Sequence, residues 1–519
     1  MKITKDDHLD EVLELYKKTN SSEKAAEELA LKYNFNYNPS IARKIRRWIK
    51  GLNLTDNKNK MIEDSEVFKK ALDKKISKSK YYIITSAQNA TKINKPFWKN
   101  ILSYSKYLNA EIEVIPIRYK NPTSTFKELP NDWWDSKLHD YLIANRYKLH
   151  NNLTVAADLK TQPTASMPLS GIEGLTKDES CIIGHPRQHL VTIPAVGDNI
   201  PKFLLSTGSV TVENYTDSKS GKKGEFHHTF GFIIVEIQDD NIFYIRHVSA
   251  NKNGSFYDLD YYVNDNKVSR VNSIPAMVLG DLHLGETCEY SLGETYRMLE
   301  RFRPKNIFLH DIMNGSSISH HEKKDPFIAL EREMDGSWDL EKEIKLSLDF
   351  LDTVIQYNPI IVKSNHDLFC DRFIIDSDWR KEKNKYAYLK YAKLKADLEL
   401  PNGILPYNVQ QKFGNRVKCL TEDDSYKVRG IEMAIHGHIG NAGIRGSATQ
   451  FKRLNTKLIT AHTHTPLKLD NLTTVGTLTK LRVGYNKGLS SWFNANALVH
   501  ENGKSQLILI FKDKGWTTL

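Results

Sequence analysis

The sequence predicts an α/β fold, and three patterns carry the prediction. Between residues 276 and 462, five short apolar runs each end at polar side chains. Residues 81–117 read as strand, helix, strand. Three short helical repeats open the chain ahead of both. Strands alternating with helices build parallel βαβ units, and functional groups in such sheets gather at the strands' C-terminal ends.

Composition sets the bounds. The chain has 519 residues, 40% of them hydrophobic and 26% charged, which gives room for two to four domains of ordinary globular make-up. No apolar run approaches the ~18–20 residues needed to cross a bilayer, so no membrane association is expected. Met1–His8 is polar and lacks the apolar core of a signal peptide. Cys181, Cys288, Cys370 and Cys419 are widely spaced; they read as reduced thiols of a cytoplasmic protein, not as a disulfide framework. The net charge of +11 favours an anionic partner, nucleic acid first, with a generally Lys-rich surface as the plainer reading. About half of the excess lies in residues 1–80, where 19 basic side chains face 13 acidic ones.

Residues 1–55 form the first expected unit. Leu9, Val12, Leu13 and Tyr16 repeat at helical spacing, and Ser21 or Ser22 offers an N-cap ahead of Ala25, Ala26, Leu29 and Ala30. After an Asn-rich break at 33–39, Ser40 starts a third helix with Ile41, Ile45, Trp48 and Ile49 on its apolar side. Arg43, Lys44, Arg46, Arg47 and Lys50 cover the rest. Three short helices with a basic last one resemble a helix-turn-helix unit, whose final helix would enter the DNA major groove. A small bundle with a solvated basic face is the alternative, and the connection at 34–39 is longer than the usual turn of about 3–4 residues. Residues 56–80 read as a basic linker.

Residues 81–270 read as an α/β accessory domain. The strand starting at Tyr81, the helix Pro96 to Leu108 and the strand Glu111 to Ile117 suggest a βαβ unit with a parallel pair. The stretches 86–91 and 118–124 lie past the strand ends, as a polar rim for a ligand or as ordinary turns. Strands are clearest at 204–212, 230–237 and 242–248. Two polar loops stand out, Gly184 to His189 and Asp217 to His228. The second carries Lys219, Lys222 and Lys223 and suits phosphate contacts as a flexible hairpin; His227 and His228 within it read as structural.

Residues 271–519 carry the chemistry. The run Ala276 to Leu279 ends at Gly280 and delivers Asp281 and His283; Asn306 to His310 delivers Asp311. Pro359 to Ser364 delivers Asn365, His366 and Asp367, Gly430 to Ile435 delivers His436 and His438, and Lys457 to Ala461 delivers His462 and His464. Adjacent strands would converge these groups at one sheet edge. Carboxylate, imidazole and one amide oxygen, without thiolate, suit Mn²⁺, Fe or Zn²⁺ in a reactive site over a structural zinc. A pair of ions about 3.5–4 Å apart needs a bridging carboxylate.

The ordered series D-x-H, D, N-H-D, H, H-x-H resembles the calcineurin-like metallophosphoesterase superfamily over about residues 274–470. The resemblance implies a two-sheet αββα sandwich flanked by helices and two divalent ions, Mn²⁺ first, with Mg²⁺, Fe or Zn²⁺ as alternatives. It assigns Asp281, His283 and His464 to one ion, Asn365, His436 and His462 to the other, and Asp311 to both. His436 is preferred to His438 because it comes first off its strand. The resemblance makes His366 and Asp367 catalytic: His366 assists the leaving oxygen and Asp367 orients His366. The sequence departs from the pattern at His310, where glycine is usual, at Asn314, where an acid is usual, and at Ala461, where glycine is usual. His310, His320 and His321 are further candidates for phosphate contacts, with an exposed polar loop the favoured reading of the last two.

Within the superfamily the flanks decide the substrate. The basic helical unit, the net charge and the Lys-rich loop favour DNA. The resemblance then narrows to the SbcD-like nucleases, phage-encoded ones included, which implies a homo-oligomer in the cytoplasm, the host's if phage-encoded. A small-molecule phosphodiesterase or phosphatase is the alternative. Residues 472–516 read as closing strands, with Glu501 to Lys504 as a hairpin turn.

Overall fold

The ends of five short strands place the polar groups singled out above. We describe them in a computed structural model covering residues 5–19, 22–50, 66–75, 77–120, 133–175, 177–197, 199–319, 325–454, 456–483 and 486–519. The chain divides into two units, residues 1–74 and 75–519.

In the first unit, helices α1 (Lys5–Thr19), α2 (Ser22–Lys32) and α3 (Pro39–Lys50) close on a small core of Val12, Ala26, Leu29, Ala42, Ile45 and Ile49. Asn38 Oδ1 accepts the Ser40 N–H at 2.8 Å and so caps the start of α3. Helix α2 begins at Ser22, while Ser21 lies outside the described residues. With Ile45 and Ile49 turned inward, Arg43, Lys44, Arg46 and Arg47 are exposed. Arg46 leans back to Ser22 Oγ at 3.3 Å and Glu23 at 3.5 Å. The side chain of Lys50 and most of the expected linker lie outside the described residues; Glu66–Asp73 is helical.

In the second unit, the expected βαβ order holds. The strands Tyr81–Gln88 and Glu111–Ile117 pair in parallel, Tyr82 opposite Glu111. Between them the helix Lys95–Leu108 is capped by Asn94, which accepts the Phe97 N–H. Gly231–Ile237 and Phe243–Ser249 complete a four-stranded sheet. Residues 86–91 form no open rim: Ser86, Gln88 and Thr91 are buried, and the Ser86 hydroxyl donates to the Gly208 carbonyl. Residues 121–132 lie outside the described residues.

A ten-stranded sheet joins strands between residues 146 and 206 to strands between 427 and 474, through the pairing of His189–Ile193 with Leu467–Leu469. The expected boundary at residue 270 therefore falls between segments that share a sheet. A six-stranded sheet runs in the order Lys418–Cys419, Pro359–Ile361, Ile307–Leu309, Ala276–Val278, Ala495–Val499, Ser505–Leu509; the first four are parallel. Its two faces bury different sets. Met277, Leu279, Ile307, Leu309 and Ile361 pack on helices that include Glu289–Phe302 and Leu340–Val354. Ala276, Val278, Phe308 and Ile360 meet Ile431, Met433 and Ile459 of the ten-stranded sheet. The alternation follows from the two-residue side-chain period of a strand buried on both faces. Phe451 of the helix Ala448–Arg453 then covers Leu458 and Leu472 on the far side. The fold is α/β, with two sheets facing one another between helices.

Two segments differ from expectation. The strand expected over 204–212 is Lys202–Ser206. The loop expected over 217–228 contains a helix, Lys219–His227, because Ser218 Oγ accepts the Gly221 N–H and nucleates it despite two internal glycines. Lys219, Lys222 and Lys223 are exposed on it, and Lys222 lies 3.3 Å from Glu225. The turn at 501–504 joins two antiparallel strands, as its Asn-Gly pair indicates.

Candidate metal centre

The candidate ligands come from both facing sheets, not from the single sheet edge expected. Asp281, Asp311 and Asn365 follow strands of the six-stranded sheet, and His436 and His462 follow the parallel strands Ile431–Glu432 and Lys457–Thr460 of the other. The first loops run together, with His283 N–H donating to the Asp311 carbonyl at 2.7 Å. Gly280 is needed for close approach: a Cβ there would meet the Ala495 carbonyl oxygen at 2.9 Å.

Two donor groups result. Asp281, His283, Asp311 and His464 place one ligand atom each within 4.8 Å of one another, and Asp311, His436 and His462 do the same. Asp311 belongs to both. His464 Nε2 lies 3.1 Å from Asp281 Oδ2 and 3.0 Å from His283 Nε2; His436 Nε2 lies 3.3 Å from Asp311 Oδ2 and 3.1 Å from Asn365 Oδ1. His438 is in neither group, although its ring lies 5.3 Å from that of His436.

His283, Asp311, His462 and His464 all adopt left-handed backbone conformations, φ +42°, +42°, +72° and +56°. For such residues each costs about 1–3 kcal/mol, and such strain gathers at ligand sites. Sharp reversals after the strands aim the side chains at one point.

The electrostatics suit a cation. Burial raises the Asp281 and Asp311 carboxyls, but the facing imidazoles outweigh it and hold both below the ordinary carboxylate value. Burial pushes His283 down to about 3 and His462 to about 4, so their ring nitrogens keep lone pairs at neutral pH. His436 is the exception: burial lowers it, yet Asp311 and Asp281 bring it to about 9. Asp281 Oδ1, His283 Nδ1 and His464 Nδ1 are buried without a hydrogen-bond partner. Two anionic carboxylates, an amide oxygen and four imidazoles, with near-contacts between lone-pair atoms, fit one or two divalent ions; metal ligands in proteins have this chemistry.

His366 sits beside the donors, its ring 4.4 Å from that of His283. Its Nδ1–H donates to the Asn314 carbonyl at 2.7 Å, which leaves Nε2 for the site. Asp367 does not orient it, contrary to expectation. The Asp367 carboxylate turns inward to the Met313 N–H at 3.4 Å, and burial followed by the charge of Asp311 raises it to about 6. His310 is fully buried; its Nδ1 lies 3.3 Å from His436 Nδ1 and the rings stack at 5.4 Å. His320 and His321 lie outside the described residues. Sequence reasoning missed Trp492, whose ring packs 4.1 Å from that of His464; an aromatic outside any apolar run or ligand motif gave no signal. Beside His436 and His438 a cavity of about 770 Å³ opens, lined also by Lys363, Asp423, Phe451 and Arg453.

Comparison with known proteins supplies a relative. Protein A1 of Escherichia phage T5 is 30% identical over 464 residues, covering 83% of this chain and 82% of that protein. The chain belongs to the protein A1 family. No protein-family model matches it. Among solved structures, Chaetomium thermophilum Vps29 superposes with 10% identity and a TM-score of 0.20, covering 37% of this chain and 97% of that one. A fit that slight carries no argument, so the chemistry of this A1-family member rests on its own residues. No helix among the described residues is long and apolar enough to cross a membrane.

Proposed function

We propose that this chain is a metal-dependent phosphodiesterase that hydrolyses DNA, with two divalent ions, Mn²⁺ first. The observation that carries the reading is Asp311, one buried carboxylate common to two donor groups. The ordered ligand series supports it, as does its resemblance to the metallophosphoesterases.

Asp281, His283 and His464 would hold one ion, Asn365, His436 and His462 the other, and Asp311 both. Bound there, such ions supply Lewis acidity that activates water near neutral pH and offsets charge on phosphate oxygens. The chain's own residues do the rest. The Asn314 carbonyl fixes the His366 ring so that Nε2 can hand a proton to the departing alkoxide. The two sheets hold the donors on rigid strand ends, where small displacements are resisted.

DNA as substrate is supported by the exposed basic face of α3, Arg43, Lys44 and Arg47 above all, and by Lys219 and Lys223. Phosphate contacts of this kind hold nucleic acid without reading sequence. The test is incubation of the full chain with plasmid and linear DNA plus Mn²⁺, alongside bis(p-nitrophenyl) phosphate. Cleavage of DNA supports the reading. Intact DNA with rapid hydrolysis of the small diester overturns the choice of substrate, and inertness toward both overturns the enzyme.

A further inference from the structure

Away from the metal centre, at the opposite end of the same strands, lies a cavity of about 190 Å³ lined by Lys457, Lys468, Asp470, Asn471, Lys504 and His227, among others. Lys457 is the first residue of the strand that delivers His462, so about 16 Å of extended chain separates the two ends.

Three ammonium groups converge here. Lys457 Nζ donates to the Gly503 carbonyl at 2.7 Å and Lys468 Nζ to the Ser505 carbonyl at 3.2 Å, two carbonyls of one hairpin, and Lys504 lies between them in the chain. Among the described residues none of the three has a carboxylate within ion-pair distance. The acids nearby are taken: Asp470 accepts from Arg187, His189 and Lys452, each at 3.0 Å, and Glu501 pairs with Arg429 at 2.5 Å. Lys468 is buried. Burial followed by the charge of Lys504 lowers it to about 8, and no acid opposes that fall. Burial lowers Lys457 and Lys504 as well.

A buried cation without a counter-charge is costly, and proteins pair it or neutralise it. Each ammonium has three donors, and the hairpin carbonyls occupy one on Lys457 and one on Lys468. All three side chains line the cavity, which is smaller than the ~300 Å³ that a drug-sized ligand needs. A tetrahedral dianion with four acceptor oxygens matches both the charge and the size. We propose that Lys457, Lys468 and Lys504 form a binding site for a phosphate dianion, presented as inorganic phosphate or as the monoester group of a mononucleotide.

The test uses the full chain, equilibrium dialysis and thermal melting, with inorganic phosphate and dTMP as separate probes. Phosphate bound at the metal centre is common to wild type and variants, so the comparison isolates this site. Wild type is expected to bind one more equivalent than Lys468→Met, and Lys504→Met to weaken that equivalent by about tenfold or more, since each charged hydrogen bond is worth at least that. Lys106→Met, on the exposed face of the helix Lys95–Leu108, is the control and should match wild type. Without ligand, Lys468→Met should melt no lower than wild type, because it removes an unpaired buried charge. Its melting point should then rise less with phosphate than that of wild type. Competition by dTMP for the same equivalent identifies a nucleotide monoester as ligand, and binding of inorganic phosphate alone identifies the free anion. Equal stoichiometry and affinity in wild type, Lys468→Met and Lys504→Met would overturn the site.

Discussion

His310→Leu tests how the metal centre is held together. His310 Nδ1 lies 3.3 Å from His436 Nδ1, deep in the fold, and His436 presents Nε2 to Asp311 and Asn365. For Nε2 to bind a cation, Nδ1 must carry the proton and donate it to an acceptor, and His310 is the acceptor in place. Outer partners of this kind change metal affinity or activity by about 10–100-fold, or about 1.4–2.7 kcal/mol. Leucine fills similar space but accepts nothing, so Mn²⁺ affinity should fall within that range, and turnover of bis(p-nitrophenyl) phosphate with it at limiting metal. His310→Asn keeps an acceptor and should recover most of the loss. Isothermal titration with Mn²⁺ reads the affinity, and a thermal melt confirms the fold. Unchanged Mn²⁺ affinity in a folded His310→Leu protein would refute the assignment.

Three further outcomes follow from the same geometry. Asp470→Asn strips the shared partner from buried Arg187 and His189 and should cost about 3 kcal/mol or more at pH 7. Burial raises the Asp470 carboxyl, but His189, Arg187 and Lys452 outweigh it and hold the group well below the unfolded value. Its stabilisation is therefore complete above about pH 4 and lost below; melting from pH 5 to pH 3 should destabilise wild type more than the variant, and equal slopes would count against it. His366→Asn should slow DNA cleavage by about 10²-fold or more and spare bis(p-nitrophenyl) phosphate, whose leaving group needs no proton; equal losses would remove His366 from that role. Combining Arg43→Ala, Lys44→Ala and Arg47→Ala should lower the salt dependence of DNA binding by about 0.9 per lost phosphate contact with small-diester hydrolysis intact; an unchanged slope would make α3 a solvated face.

The ligand series was legible because a strand buried on both faces is a continuous apolar run, and its end is marked where that run stops. Asp281, Asp311, Asn365, His436 and His462 were all located this way. Their meeting was implied by the family resemblance and not by periodicity, which reveals strands and not the partners they choose. The role of the Asn314 carbonyl left no trace because every residue carries that acceptor. His310 was visible as a departure from the family pattern, but only burial shows that it faces His436 instead of solvent. Helix 219–227 was missed because Gly221 and Gly224 argue against helix more strongly than Ser218 argues for it. Lys457, Lys468 and Lys504 share no sequence pattern, and only the folded chain places them around one cavity.

The central claim is that Asp311 joins two cation sites into one centre. Metal content of the purified chain after loading with Mn²⁺ and desalting tests it most directly. Two ions per wild-type chain, and one or none in a folded Asp311→Asn variant, is the expected result. An Asp311→Asn protein that still retained two ions, or a wild-type chain that retained none, would contradict it.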